Sequence, residues 1–214
     1  MPLALVIAVT AATAAAWHWR PGAAVEPTTG YGRVPDFALV DRTGRTVTRR
    51  DFLGKISVVD FFYTRCTDAC PLQSAQMRVL QNRYGGRGLQ LVSITVDPTH
   101  DDRATLAAYA RSIGADPRWL FLTGRRDDIY RLAVDGFHLA AVATSEPRFP
   151  GPWAFWQPPL ALAHELVNEP RIIQLTHASQ FAVVDRQARI AGYFDSFDSD
   201  QRQELRDRLD HWLR

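Results

Sequence analysis

The chain has 214 residues, enough for one domain with a sizeable core and a shorter appended segment. Hydrophobic residues make up 46% of it, and 25 basic against 23 acidic residues give a net charge of +2. This near-neutral balance, with arginines scattered along the chain, argues against nucleic-acid binding. Two cysteines are too few for a scaffold built from disulfides, but they are the right number for one site.

Residues 1–19 are predicted to be a signal segment or a membrane anchor. Residues 3–16 are apolar apart from two threonines, and Trp17 and Trp19 follow. One interpretation is a signal peptide cleaved after small residues, and the other is an uncleaved anchor with both tryptophans at the membrane interface. We slightly favour the anchor, although a typical span needs about 20 apolar residues. Both interpretations place the rest of the chain outside the cytoplasm.

A linker rich in proline and glycine is predicted over residues 20–34, followed by a folded domain over residues 35–214. The domain opens with a predicted β-hairpin, residues 37–47, with a turn at residues 41–44. A short connector then leads to the continuous apolar run Ile56–Tyr63, which is typical of a buried strand.

The two cysteines, Cys66 and Cys70, come directly after this strand. A predicted helix follows them, and Pro71 suits its first position, where a missing N–H costs nothing. Residues four apart share one face of a helix-like loop, so both sulfurs can converge on one point. A helix N-terminus and neighbouring Arg65 favour thiolates, which bind a soft metal ion or close a disulfide. The alternative is a structural disulfide or a pair of inert buried thiols.

Helices and strands alternate after the cysteines. The helix predicted over residues 72–84 has five apolar residues on or near its inner side: Leu72, Ala75, Met77, Val79 and Leu80. A second buried strand is predicted over residues 89–96 and ends at Asp97-Pro98. Asp102 is predicted to cap a helix that runs to about residue 113. The next predicted elements are a strand at 119–122 and a helix at 127–134.

Residues 135–176 carry six prolines and little periodicity, which is typical of a functional or mobile segment. A brief helix is predicted within it, at residues 160–167. His164 begins a motif like that of a zinc protease, but Asn168 stands where the second histidine is required, so that motif fails.

Two strands, at residues 179–185 and 190–194, and a closing helix at 199–213 complete the predicted elements. Strands alternating with helices, followed by a hairpin and a helix, predict a thioredoxin-like α/β sandwich. This sandwich has an N-terminal β-hairpin and a long loop before the penultimate strand. The cysteines lie at the end of an interior strand, where such folds place a redox site.

A third group is predicted to face the two sulfurs. Thioredoxin-like chains commonly have a proline at the start of the strand that faces the active loop, but this chain has His177 there. An imidazole beside two thiolates suits Cu(I) and tolerates Cu(II), whereas zinc would require a fourth ligand. A lone histidine is more often a surface or hydrogen-bonded core group. The position of His177 nevertheless favours it over the other five histidines: His18, His100, His138, His164 and His211.

His138 and His164 remain weak alternatives because they flank or lie within the long loop. Asp97 follows the second buried strand at the same edge of the predicted sheet. It is predicted to be an outer-shell partner of the metal or an occasional ligand, and the alternative is a turn-forming Asp-Pro pair.

The run Phe-Phe-Tyr-Thr-Arg-Cys-Thr-Asp-Ala-Cys-Pro at residues 61–71, with Val96-Asp97-Pro98 and the late His177, resembles the Sco/SenC family of copper proteins. The resemblance covers roughly residues 34–212. It implies a membrane-anchored, thioredoxin-fold metallochaperone that helps to assemble the CuA centre of cytochrome c oxidase. The copper ligands that it implies are Cys66, Cys70 and His177, with Asp97 near the metal.

The resemblance also implies a partner and a location. The partner would be the CuA domain of cytochrome c oxidase subunit II or another copper protein, and copper would be carried as Cu(I), Cu(II) or both. The folded domain would lie on the periplasmic face of the bacterial inner membrane. In one departure from the family pattern, Ala188 stands where a turn glycine is usual.

Two other activities use the same sulfurs. A thiol–disulfide reductase would keep oxidase-subunit cysteines reduced, with Cys66 attacking and Cys70 resolving. The spacing of the cysteines and His177 favour copper over this activity, although the two activities are compatible because only reduced sulfurs bind copper. A peroxidase of related fold needs a single peroxide-reactive cysteine, which the pairing of Cys66 with Cys70 argues against.

Overall fold

The structure is a computed structural model that describes residues 31–67, 69–142, 174–176 and 179–214. The segment predicted to be an anchor or signal, most of the predicted linker, the helix predicted at 160–167 and His177 lie outside these residues. No helix within the described ranges is both long and apolar enough to cross a membrane.

Strands and helices alternate along the described chain, as the sequence predicts. The strands are β1 (Ala38–Asp41), β2 (Thr46–Thr48), β3 (Ser57–Phe62), β4 (Gln90–Thr95), β5 (Leu120–Thr123), β6 (Ala140–Val142), β7 (Gln174–Thr176), β8 (Gln180–Val184) and β9 (Ile190–Asp195). The α-helices are α1 (Ala69–Tyr84), α2 (Arg103–Ser112), α3 (Arg126–Arg131) and α4 (Ser199–Trp212).

Seven strands form one sheet in the order β2-β1-β5-β4-β3-β8-β9. β3, β4 and β5 are parallel, whereas β8 runs antiparallel to β3 and β1 runs antiparallel to β5. β3 therefore lies inside the sheet, with a partner on each side. Because β3 and β4 are parallel, the segments that follow their carboxyl ends, including Cys66 and Asp97, leave the same edge of the sheet.

All six residues of β3 are buried, which confirms the strand predicted from the apolar run. Alternate side chains enter different cores. Val59 and Phe61 join a core with Ile129 and Phe137, whereas Val58 and Phe62 join a second core. The second core contains side chains of three helices: Met77, Leu80, Leu106, Leu205 and Leu209. The sheet is thus covered on both faces, as a sandwich requires.

The first turn of α1 differs from the prediction. The helix begins at Ala69, so Cys70 is inside it and Pro71 is its third residue. The missing N–H of Pro71 is still harmless, because the first four N–H groups of a helix have no intrahelical partner.

The inner side of α1 also differs from the prediction. Leu72 and Val79 are 52% and 48% exposed, and Ala75 is exposed as well. The buried side follows the helical period from Cys70, and its members are Cys70, Gln73, Ser74, Met77, Leu80 and Tyr84. The prediction of inner residues was correct for Met77 and Leu80 and wrong for Leu72, Ala75 and Val79.

A pair of short strands within residues 135–176 was not predicted. Ala140 pairs with Thr176 and Val142 with Gln174, so β6 and β7 form a separate two-stranded sheet. Strands of three residues offer too few alternating positions for a sequence pattern. β7 ends immediately before His177.

The segment before β1 packs against the C-terminal hairpin. Val34 is fully buried, and its N–H donates to the carbonyl of Ala188 at 3.0 Å. The carbonyl of Gly32 accepts from Ile190 N–H at 2.9 Å. Ala188 is buried with a φ of 57°, a left-handed conformation that is strained for alanine. These contacts attach the N-terminal segment to the sheet.

Candidate metal centre

The cysteine loop is built by the end of β3 and the start of α1. Tyr63 follows β3, and its carbonyl accepts a hydrogen bond from Cys66 N–H at 3.2 Å. This bond closes a tight turn that sends the chain into α1, where Cys70 is the second residue. A fully buried strand thus fixes one end of the loop, and a helix fixes the other.

The two sulfurs lie together, as the spacing predicts. Neither cysteine is in a disulfide, and Cys70 N–H donates to Cys66 Sγ at 3.3 Å. The Cys66 side chain also lies close enough to Cys70 to raise the pKa of its thiol. Cys66 is half-buried and Cys70 is buried. Cys66 is therefore the more accessible of the two cysteines.

Burial controls the protonation of Cys70. It raises the pKa of this thiol well above its ordinary value, and the hydrogen bond to Cys66 and the nearby charges of Cys66 and Asp60 add to the rise. A hydrogen bond from the backbone of Tyr63 opposes the rise without reversing it. The sequence-based expectation that the helix N-terminus favours a thiolate is therefore wrong for Cys70, because desolvation outweighs it.

Tyr63 is a site residue that the sequence analysis missed. Its side chain lies beside Cys66. Burial, the charge on Cys66 and the interaction with the Cys66 side chain raise the pKa of Tyr63 to about 12. Tyr63 is thus a neutral phenol beside Cys66 at physiological pH. An aromatic residue with a hydroxyl, placed three positions before the first cysteine, was the available signal.

Asp97 lies at the same edge of the sheet and is nearly buried. Arg65 donates to its Oδ2 at 2.7 Å, and Nδ1 of His100 lies 3.0 Å from Oδ1. Burial raises the pKa of Asp97, but the hydrogen bonds and positive charge of His100 and Arg65 outweigh burial and hold it below its usual value.

Arg65 and His100 differ from their predicted roles. A terminal nitrogen of Arg65 contacts both Asp97 and Nδ1 of His100, the latter at 2.9 Å, so Arg65 links the cysteine loop to the loop after β4. His100 was predicted to lack a position near the site, but it lies beside this loop through its contact with Arg65.

A second buried carboxylate joins the same two loops. Asp101 is fully buried, and its Oδ2 accepts from Thr64 N–H at 3.0 Å and from the Thr95 hydroxyl at 2.5 Å. Its Oδ1 accepts from the Thr64 hydroxyl at 2.5 Å. No sequence pattern indicates this role, because the hydrogen-bond partners lie 37 and 6 residues away along the chain.

Asp60 is a third buried carboxyl group, on β3. Its Oδ1 accepts from the Ser93 hydroxyl at 2.5 Å, and Ser93 also accepts from the Trp119 indole at 2.9 Å. Asp60 Oδ2 has no hydrogen-bond partner. Burial raises the pKa of Asp60 to about 7.

The predicted ligand set is only partly within the described structure. Cys66, Cys70 and Asp97 lie at one edge of the sheet, whereas His177 is outside the described residues. Among the residues that the structure does describe, no three His, Cys, Asp or Glu side chains are grouped closely enough to hold a metal ion. The two thiols are thus the chemical centre of the described site.

A family model and several proteins of known sequence match about half of this chain. A family model described as SCO1/SenC matches residues 26–150, which include both cysteines and Asp97 and end before His177. The mitochondrial SCO2 homolog of Danio rerio is 34% identical over 104 residues, 47% of this chain and 37% of that protein. Protein SenC of Rhodobacter capsulatus is 34% identical over 95 residues, 44% of this chain and 42% of that protein. The match therefore spans about two-fifths of the length of these relatives.

Solved structures have the same fold over most of the chain. A SCO1/SenC family lipoprotein of Bacillus anthracis has a TM-score of 0.68 at 20% identity, covering 87% of this chain and 98% of that one. Copper-bound ScoI of Bradyrhizobium japonicum has a TM-score of 0.57 at 20% identity, covering 82% and 98%. BsSco, a member of the Sco family of cytochrome c oxidase assembly proteins with a disulfide switch, has a TM-score of 0.62 at 19% identity, covering 88% and 96%.

These likenesses confirm the thioredoxin-like sandwich predicted from the order of the elements. The family model covers more than half of the residues, including the whole cysteine loop. The chain belongs to the SCO1/SenC family.

Proposed function

We propose that the protein is a copper metallochaperone that serves the assembly of the CuA site of cytochrome c oxidase. The observation that carries this proposal is the pairing of two thiols on one turn, with Cys70 N–H donating to Cys66 Sγ at 3.3 Å. Two family members support it: one solved structure contains copper, and another belongs to a group of cytochrome c oxidase assembly proteins.

The donor chemistry favours a soft ion. Thiolates select Cu(I) over hard cations, and two adjacent sulfurs provide most of the coordination that Cu(I) needs. Zinc would require four ligands. The ion is a cargo, so a site with one half-buried sulfur has an advantage: Cys66 is open to exchange with a thiolate of the acceptor, while buried Cys70 holds the ion until last.

We propose His177 as the third ligand, and the register of β8 supports this. Ser57 of β3 pairs with Val184 of β8, and Val59 pairs with Ala182. Each step toward the end of β3 is therefore matched by a step toward the start of β8. The first residue of β8, Gln180, belongs at the edge from which the cysteine loop leaves, and His177 precedes it by three residues.

We also propose that the folded domain works outside the cytoplasm, held by residues 1–19 as an anchor or exported by them as a signal. Apolar residues followed by two tryptophans support this. A lipoprotein among the structural relatives is consistent with a membrane-associated domain. The partner would then be the subunit II CuA domain or another copper protein on that side.

The test measures copper bound by protein purified without oxygen and titrated with Cu(I) against a competing chelator. We expect about one copper per chain, with the site lost in Cys66→Ser. His177→Ala should weaken binding at least tenfold, because one of three ligands is removed. His211→Ala, which changes an exposed histidine in the last turn of α4, is the matched control and should bind like the wild type. Equal affinity in the His177→Ala and His211→Ala variants would remove His177 from the ligand set.

The second candidate is a thiol–disulfide reductase. The unequal exposure of the sulfurs favours it, since a half-buried Cys66 can attack a target disulfide and a buried Cys70 can resolve the mixed disulfide. The measurement that separates the two functions is turnover by metal-free protein. Catalytic reduction of an oxidised CuA-domain peptide would support the reductase. Reduction of only one peptide per protein would argue against the reductase and favour the chaperone.

A further inference from the structure

The loop that carries Cys66 is attached to the neighbouring loop by one fully buried carboxylate. Asp101 accepts hydrogen bonds from both the N–H and the hydroxyl of Thr64, which lies two residues before Cys66. It also accepts the hydroxyl of Thr95, the last residue of β4. The turn from Asp97 to Asp101 is itself closed by Asp101 N–H donating to the carbonyl of Asp97 at 2.9 Å.

We propose that Asp101 is the positioning residue of the thiol pair, fixing the start of the cysteine loop so that Cys66 stays against Cys70. This deepens the proposed function and rests on it only in taking the two thiols as a working pair. The carboxylate does not touch either sulfur in any described contact. It acts through Thr64, where the chain leaves β3 and its ladder with β4 has ended.

The bonding pattern explains why a carboxylate occupies this position. Beyond Phe62 and Thr95 the parallel strands no longer pair residue by residue, and Val96 N–H to the carbonyl of Phe62 is the last bond between them. Thr64 N–H then needs an acceptor that is not a strand carbonyl. Asp101 supplies two oxygens for three donors, and hydrogen bonds to a buried carboxylate are stronger than those between neutral groups.

The consequence is a high effective concentration of one thiol at the other. A loop held at both ends loses little further freedom when its sulfurs form a disulfide or share an ion, whereas a loose loop loses that freedom on closure. Cys70 is held by α1, so the freedom of the pair depends on the Cys66 side. Loss of the hydrogen bonds between Asp101 and Thr64 should therefore make a disulfide or a shared ion between Cys66 and Cys70 less favourable, although neither sulfur is altered.

The test measures the equilibrium between the dithiol and glutathione, without any metal. Two protein thiols and one oxidised glutathione give one protein disulfide and two reduced glutathiones, so two electrons pass from the protein. We expect Asp101→Ala to lower this equilibrium constant about tenfold. Asp101→Asn should stay within about threefold of the wild type, because its oxygen accepts from Thr64 N–H and Thr95 while its amide donates to the Thr64 hydroxyl.

Asp41→Ala is the matched control. Asp41 is also buried and accepts a backbone N–H and the hydroxyl of one threonine, Thr43, at 2.8 Å and 2.6 Å, but in the turn between β1 and β2. It should lower stability to urea while leaving the glutathione constant within about twofold. A change in Asp101→Ala no larger than in Asp41→Ala, or equal losses in Asp101→Ala and Asp101→Asn, would overturn the proposal.

Thr64→Val keeps the experiment decisive if Asp101→Ala does not fold. It removes one of the three donors and keeps the backbone, so we expect a drop of about threefold in the glutathione constant, and no drop would refute the positioning role. Copper titration of the same proteins separates the two proposals. Wild-type protein that binds no copper, with the glutathione effect intact, overturns only the chaperone.

Discussion

At the scale of single residues, burial decides the chemistry of this site. The thiol of Cys70 and the carboxyl of Asp60 both have raised pKa values, and burial is the largest cause for each. The helix N-terminus and Arg65 were expected to favour thiolates. At Cys70 desolvation outweighs the helix, and a terminal nitrogen of Arg65 bonds Asp97. A metal or a disulfide must therefore displace a firmly held proton from Cys70.

Asp60 gives a prediction for stability against pH. The native state holds its proton with a pKa of about 7, whereas the unfolded chain releases it near pH 4. Stability from the protonated form is complete below pH 4 and is lost as the pH rises to 7. Urea denaturation measures the unfolding free energy of Asp60→Asn relative to the wild type. We expect this difference to favour the variant by about 2–3 kcal/mol more at pH 8 than at pH 5.

Asp116→Asn is the control for this experiment. Hydrogen bonds from Arg118 lower the pKa of Asp116 to about 2, so this carboxyl group does not titrate between pH 5 and pH 8. The effect of Asp116→Asn on the unfolding free energy should therefore be the same at pH 5 and pH 8. An Asp60→Asn effect that is equally independent of pH would show that the buried carboxyl of Asp60 does not hold its proton as the structure indicates.

At the scale of elements, hydrophobicity and burial do not coincide along α1. Its buried side includes polar Gln73 and Ser74, and its exposed side includes Leu72 and Val79. Ser74 contacts the hydroxyl of Tyr109 on α2 at 2.8 Å, which satisfies one of the buried polar groups. Hydrophobicity alone therefore misassigned Leu72, Ala75 and Val79, whereas the helical period counted from Cys70 matches the buried side.

Truncations along α1 test this assignment. Met77→Ala removes a fully buried side chain from the core and should cost about 2–4 kcal/mol of unfolding free energy. Leu72→Ala, a comparable truncation on the half-exposed side, should change it by less than about 1 kcal/mol. Urea denaturation of both variants gives the comparison. Similar losses would mean that Leu72 is covered by another part of the protein.

Sequence patterns predicted the elements better than the connections between them. The continuous apolar run predicted β3, and the Asp102 cap predicted α2, where Asp102 accepts Thr105 N–H at 2.7 Å. The pairing of β6 with β7 was missed because it joins short strands more than thirty residues apart. The roles of Tyr63 and Asp101 depend on distances that only the folded chain fixes. The sequence thus predicted that the two sulfurs lie together, but not which residues hold them in place.

At the scale of the whole molecule, the packed domain extends to the residues before β1. Val34 is fully buried, and the ring centroids of Tyr31 and Tyr193 are 5.1 Å apart in an edge-on contact. Backbone bonds join Val34 to Ala188 and Gly32 to Ile190. These contacts cover the outer side of the C-terminal hairpin, whose turn contains the strained Ala188.

Deletions test the contribution of this segment. Protein that lacks residues 1–30 is the reference. Removing residues 1–35 also removes the buried Val34 side chain and its backbone bond, and we expect a loss of about 2–4 kcal/mol. Urea denaturation of both proteins measures the difference. Equal stability would mean that the segment contributes no net packing energy.

The central position of β3 has a consequence for biosynthesis. One of its partners, β4, follows within about thirty residues, but the other, β8, is made more than a hundred residues later. Pairings so distant in sequence form late, because a long loop must first close. During synthesis the sulfur-bearing turn is therefore made before the strand that completes its platform. Until β8 pairs with β3, the strand that leads into the cysteine loop lacks one of its two partners.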